Sequence, residues 1–380
     1  MIYFDNSATT KPFKEVLDTY VTVSENYFAN PSSIHCKGGE TERLIHQARK
    51  MTASLLHVKP SEIIFTSGGT EGNNLAIKGI ALKHSERGKH LITTMTEHAA
   101  TFESFKYLES IGFDVTYLPV DEKGRISLEK LEKSMRKDTI LVSIMHVNNE
   151  VGTIQPILEA GNIIRKYPKA FFHVDNVQGI TKVPLSLKEA HIDLCTMSGH
   201  KFHGLKGTGI LYVREGVTLS PLFTGGSQEG KLRAGTENVA GIVATVKALR
   251  MSFDQMKPGV KKMEQIKRFL INELSHIPGV LVNTPETYSA PHIVNFSVEN
   301  MKPEVLIHSL EENNVFVSTR SACSSKQGGA SRVLVAMGFN ETRATNAIRI
   351  SLAYQNTMEE AERFIELLKE SISKLQEVMR

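Results

Sequence analysis

Five short polar segments in this 380-residue chain carry residue types that could do chemistry, and each follows an apolar run. Ser67-Gly68-Gly69-Thr70-Glu71-Gly72-Asn73-Asn74 is a small-residue turn after Ile63-Ile64-Phe65. Small residues let backbone N–H groups close on an anion, and a helix opening there adds a favourable dipole, so a phosphate fits. A plain tight turn explains the motif equally well. The segment is neither G-x-G-x-x-G nor a P-loop, which argues against NAD and ATP. Thr96-Glu97-His98 follows a run ending at Met95. A lone histidine in such a place is more often structural than catalytic. His146-Val147-Asn148-Asn149-Glu150 offers paired amides that would bond a ligand or cap a loop.

The fourth segment, Phe172-His173-Val174-Asp175, puts an acid directly after a buried run. Burying it is costly without a partner. A protonated pyridine nitrogen is one such partner, because a carboxylate beside it keeps the ring cationic and electron-withdrawing. A helix N-terminus or an arginine is the ordinary alternative. The fifth, Thr196-Met197-Ser198-Gly199-His200-Lys201, ends in a lysine. A lysine so held can have a lowered pKa and form a Schiff base, although most lysines are simply solvated. Together the turn, the imidazole, the acid and the lysine are the parts of a pyridoxal phosphate site. They anchor the phosphate, cover a ring face, partner the ring nitrogen and supply the amine.

These segments need elements to hold them. β-Branched runs at 63–65, 90–95, 140–147 and 170–174 alternate with helical patterns at 73–83, 99–110 and 157–167, predicting a mostly parallel sheet covered on both faces. Ligands bind beyond the carboxyl ends of such strands. Met256-Lys257-Pro258-Gly259 marks a change of pattern and places a domain boundary near 257. An amphipathic segment at 261–276, a strand at 293–298 and a helix at 303–313 follow. Thr357 with Glu360 is a capping box opening a helix to the chain end. The expected units are 13–257 and a smaller α+β unit, 258–380, that takes in residues 1–12.

Lys+Arg is 45 and Asp+Glu is 41, a net charge of +4, too weak over this length for a nucleic-acid or membrane-surface binder. Three cysteines, Cys36, Cys195 and Cys323, make neither a disulfide framework nor a zinc site and suit a reducing compartment. The opening MIYFDNSATTKP has no signal-peptide pattern, and the longest apolar runs are too short to span a bilayer, so the cytoplasm is the expected location.

The ordered motifs resemble the cysteine desulfurase family, NifS/IscS-like branch, which are class V, fold-type I enzymes using pyridoxal phosphate. The resemblance runs from Tyr3-Phe4-Asp5-Asn6-Ser7-Ala8-Thr9-Thr10 to Ile348-Arg349-Ile350-Ser351. It is carried by Asn30-Pro31-Ser32-Ser33, Thr66-Ser67-Gly68-Gly69-Thr70-Glu71, Thr96-Glu97-His98, Val147-Asn148-Asn149-Glu150, Val174-Asp175 with Gln178, Ser198-Gly199-His200-Lys201, Arg233-Ala234-Gly235-Thr236-Glu237-Asn238 and Ser321-Ala322-Cys323-Ser324-Ser325.

The resemblance implies a large domain with a mostly parallel sheet plus a smaller C-terminal domain. It implies that Lys201 carries the cofactor and moves the Cα proton, and that His98 stacks on the ring and assists. Asp175 would pair with the ring nitrogen, and Gln178 and Asn149 would bond the ring's oxygen side. Gly69, Thr70, Ser198 and His200 would hold the phosphate, with Thr236 reaching the phosphate of a second subunit in a homodimer. Arg349, with Asn30 or Asn149, would hold the carboxylate of L-cysteine. Cys323 would be the nucleophile that takes the sulfur as a persulfide, leaving alanine, and passes it to an acceptor protein.

The residues around Cys323 agree with that role: Arg320 and Lys326 favour a thiolate, and Ser324-Ser325-Lys326-Gln327-Gly328-Gly329 predicts a mobile loop. Cys195, inside an apolar run, reads as structural, and Cys36 has no supporting context. The chain ends at Met379-Arg380, without the further tail of iron–sulfur assembly members. That favours a dedicated acceptor such as a tRNA-thiolation enzyme over an iron–sulfur scaffold. Alternatives are a selenocysteine lyase, a small-substrate aminotransferase or a sulfur-delivery docking protein.

Overall fold

A computed structural model describes residues 1–319 and 329–379. Cys323, with Arg320 and Lys326, lies outside the described residues. The chain opens with β1 (Ile2–Tyr3), α1 (Lys14–Asn26) and α2 (Cys36–Leu56). Then come β2 (Ile63–Thr66), α3 (Gly69–Lys83), β3 (His90–Thr94), α4 (Ala99–Ser110), β4 (Asp114–Leu118) and α5 (Leu128–Ser134). β5 (Thr139–Met145), α6 (Ile157–Ile164), β6 (Phe171–Asp175), β7 (Leu194–Ser198), β8 (Gly209–Val213) and α7 (Val239–Ser275) follow. The last stretch holds β9 (Val280–Val282), β10 (Ile293–Val298), α8 (Pro303–Glu311), β11 (Val315–Phe316), α9 (Arg332–Ala336), α10 (Glu341–Thr345), β12 (Ala347–Ser351) and α11 (Met358–Met379).

A seven-stranded sheet has the order β2-β8-β7-β6-β5-β3-β4. Only β8 runs against its neighbours, and the other pairs are parallel. Side chains alternate across it, as the two-residue strand period dictates. Leu194, Leu211 and Val213 pack with Leu75 and Ile80 of α3 and Phe105 of α4. Cys195, Met197, Ile210 and Tyr212 join the opposite core, with α2, α6 and the first half of α7. The chain leaves β3 towards β4 but leaves β5 towards β6. The diverging loops open a crevice at the carboxyl ends of β3 and β5, where such sheets bind ligands.

A second core gathers Ile2, Phe4, Met263, Leu270, Phe296, Ile350 and Phe364 around the sheet β12-β10-β9. β1 pairs in parallel with β11, so the chain's first residues belong to this core. The change of pattern near 257 is not a break in secondary structure, because α7 continues through Pro258. Proline removes one helical N–H but leaves the flanking turns intact. Those turns are buried on both sides, Leu249 in the first core and Met263 in the second. At Gly259 a Cβ would stand 2.3 Å from the Tyr354 ring, so only glycine lets the helix pass.

Helix α3 starts at Gly69, four residues before the pattern from 73 suggests, because the glycine turn itself supplies the first helical turn. The capping box is present: Glu360 N–H donates to Thr357 Oγ1 at 3.2 Å, and Thr357 N–H donates to Glu360 Oε2 at 3.2 Å. Among the described residues no helix is long and apolar enough to cross a membrane.

Candidate active site

The crevice holds a cavity of about 280 Å³ lined by side chains from the ends of β2, β3, β5, β6 and β7 and from β12. At the end of β2, Gly68 has φ 153° and ψ −174°, a conformation that in practice only glycine takes. It lets α3 begin with its N-terminus facing the cavity. A Cβ on Gly69 would stand 3.0 Å from Val177 and 3.6 Å from Ser198, so a larger residue would crowd the cavity wall. Gly69 and Thr70 line the cavity with Ser198 and His200 opposite. Burial and the Lys201 charge lower His200 to about 3, so its ring is neutral and available as a hydrogen-bond donor.

Asp175 ends β6 and is 4% exposed. Its Oδ2 accepts from Asn73 Nδ2 at 2.6 Å and its Oδ1 from the Val177 N–H at 3.0 Å. Among the described residues no ion pair reaches it. A buried carboxylate with only neutral donors favours a cation placed in the cavity. Lys201 closes the turn after β7, and its Nζ donates to the carbonyls of Ser7 and, at 2.8 Å, Ala8. The N-terminal segment thus covers the lysine. Gln178 joins it there, its Nε2 donating to the Ser7 carbonyl at 3.0 Å.

His98 is the N-cap of α4, its Nδ1 accepting from Ala100 N–H at 3.1 Å. Burial lowers its pKa, so the ring is neutral with its proton on Nε2. The structural and the cavity-lining readings of this histidine therefore both hold. Beside it Glu97 is buried, accepting from Thr94 Oγ1 at 2.8 Å and Met145 N–H at 2.9 Å, and burial raises it to about 8.

Arg349, on β12, is 1% exposed. Its Nη1 donates to the Asn149 carbonyl and its Nη2 to Asp5 Oδ1, each at 2.9 Å. Among the described residues its Nε has no partner, and neither do Ser7 Oγ and Asn73 Oδ1. Arg349, Ser7 and Asn73 all line the cavity.

The fold therefore brings Gly69, Thr70, His98, Asn149, Asp175, Gln178, Ser198, His200, Lys201 and Arg349 to one cavity. Two other residues lie elsewhere. Thr236 lines a separate cavity of about 190 Å³ with Ser67 and Arg233, and Asn30 sits in the α1–α2 connection with its Oδ1 accepting from Ser32 N–H. Asn73, Ser7, Ala8, Met145 and Val177 are lining residues that the motifs did not single out. Ser7 and Ala8 stand in the opening motif, and Asn73 stands in the glycine-turn motif four positions after Gly69, but the motifs assign none of them a role. Cys195 is buried, as its apolar run predicts, and burial raises its pKa.

The family described as aminotransferase class-V matches residues 2–364. A NifS/IcsS protein homolog of Lactobacillus delbrueckii subsp. bulgaricus is 47% identical over 367 residues, 96% of this chain and 95% of its own length. A cysteine desulfurase IscS of Dictyoglomus turgidum is 42% identical over 378 residues, 99% of this chain and 96% of its own. The chain belongs to the class-V aminotransferase family, in its NifS/IscS branch. A solved NifS-like protein superposes with a TM-score of 0.93 at 41% identity, covering 98% of this chain and 99% of that one. These enzymes depend on pyridoxal phosphate, and the cavity of this NifS/IscS member fits that group. Asp175 lacks a cation, the α3 N-terminus and Ser198 suit a phosphate, and Lys201 provides an amine. Arg349 brings a buried guanidinium to the same cavity.

Proposed function

We propose that this cysteine desulfurase moves the sulfur of L-cysteine onto Cys323 and releases L-alanine. The observation that carries the reading is that buried Arg349, whose Nε has no hydrogen-bond partner among the described residues, lines the same cavity as Asp175 and Lys201. Gly69, Thr70, Ser198 and His200 would hold the cofactor phosphate, Asp175 would partner the ring nitrogen, and Asn149 and Gln178 would bond the ring oxygen. Pyridoxal phosphate supplies a sink for the electron pair left at Cα when the Cα–H bond breaks. Arg349 orients the amino acid by its carboxylate. Lys201 Nζ takes the Cα proton, and the neutral His98 ring presents its Nε2 proton to the cavity. The Cys323 thiolate attacks the substrate sulfur. The S–S bond forms as the Cβ–S bond breaks, and the electron pair and then a proton go to the carbon skeleton. The products are a Cys323 persulfide and alanine.

The persulfide sulfur passes to an acceptor protein, either a tRNA-thiolation enzyme or an iron–sulfur scaffold. Residues 13–257 form the cofactor unit and 258–380, with 1–12, the unit that carries Cys323. The change of core along α7 between Leu249 and Met263 supports that division. Thr236, outside its own chain's Lys201 cavity, supports a homodimer in which it reaches the other subunit's phosphate. Sparse cysteines suit a reducing cytoplasm.

The test is single-turnover alanine release from L-cysteine. Cys323→Ala should retain the cofactor's visible absorbance but lose alanine release by about 10³-fold or more, the scale of losing a nucleophile. Undiminished release would exclude Cys323. Transfer of labelled sulfur from the loaded enzyme to each purified acceptor then identifies the partner.

A further inference from the structure

Lys182, in the turn after β6, is buried at 5% exposure, and the mechanism above gives it no task. Burying an ammonium is costly without partners. Among the described residues its Nζ makes one hydrogen bond, to the main-chain carbonyl of Lys201 at 2.8 Å. The turn that delivers it is held against local preference. Thr181, a β-branched residue, has φ 61°, a region such residues avoid. The Tyr354 hydroxyl of the second core donates to the Thr181 carbonyl. The N–H groups of Lys182 and Val183 both donate to the Gly179 carbonyl, at 3.0 and 2.8 Å.

Among the described residues Lys201 is the charge acting on this amine, which in turn acts on His203 and His292. Burial holds both histidines neutral, His203 at about 4 and His292 well below its ordinary value. Burial, and then the Lys201 charge, lowers Lys182 to about 7.

We propose that Lys182 is a positioning residue for Lys201: it pins the main chain from which the catalytic amine extends and places a second positive charge behind it. While Lys182 is protonated, at about pH 7 and below, its like charge disfavours protonation of the Lys201 nitrogen, which must be unprotonated to take a proton from substrate. The inference rests on the reading of Lys201 as the cofactor lysine.

The test titrates the holoenzyme from the acidic into the neutral range, where Lys182 carries its charge, while following the visible absorbance of the bound cofactor. Lys182→Met and Lys182→Gln should raise the titration midpoint by about one pH unit, the lower end of what a neighbouring charge produces. Lys182→Arg, charged at every pH, should hold the midpoint at or below the wild-type value. A Met or Gln variant that titrates with wild type overturns the proposal. If neither of those folds, the arginine variant decides, and a midpoint above wild type overturns it. Borohydride reduction and peptide mapping report separately which lysine holds the cofactor. Attachment elsewhere defeats the Lys201 reading, whereas attachment at Lys201 with an unmoved midpoint defeats only the role of Lys182.

Discussion

Arg349 illustrates how a buried charge is kept ready for a ligand. Two of its nitrogens are committed to the Asn149 carbonyl and to Asp5, which fixes the plane of the guanidinium and leaves Nε open. Lysine cannot reproduce that fork. Arg349→Lys should therefore raise KM for L-cysteine by roughly 10–100-fold, corresponding to a lost charge-assisted hydrogen bond, while the cofactor's absorbance persists. An unchanged KM would remove Arg349 from substrate binding. Glu97 makes a pH-dependent prediction. Burial raises its pKa from 4.5 to about 8, so between those values the folded chain holds a proton that the unfolded chain has released. Stability contributed by this group then falls as pH rises through that window, by at most about 1.4 kcal/mol per pH unit. Glu97→Gln, which keeps an acceptor for Met145 N–H and Thr94, should flatten that slope in denaturant melts run at several pH values. A slope identical to wild type would show that Glu97 ionises freely in the folded state.

At the scale of elements, local signals translated directly. The capping box forms with both bonds, and Thr357→Ala should cost about 0.5–2 kcal/mol in a denaturant melt. No loss would mean that tertiary packing alone holds the start of α11. Helix 99–110 and strand 293–298 also stand where their periodicity puts them, because both signals lie within the segment. The polar ends of the strands carried most of the cavity in the same way. What escaped the sequence was contact between distant segments. Asp175 finds Asn73 102 positions away, and Lys201 finds Ser7 194 positions away. No pattern within either stretch encodes that meeting. At Pro258 a local helix breaker is overridden, because a core holds the turns on each side.

For the molecule as a whole, α7 and its crossing with Tyr354 join the two cores. Gly259 leaves room for the Tyr354 ring, whose hydroxyl also holds Thr181. Gly259→Ala should force the ring aside and cost about 1–3 kcal/mol, measured by denaturant unfolding of the holoenzyme. Unchanged stability would show that the crossing yields freely. The pairing of Ile2–Tyr3 with Val315–Phe316 has a further consequence for biosynthesis. Ile2 and Tyr3 must wait for a partner made more than three hundred codons later. Ser7 and Ala8, which cap the lysine amine, wait with them. The lysine amine therefore gains its cover only after that late strand has been made.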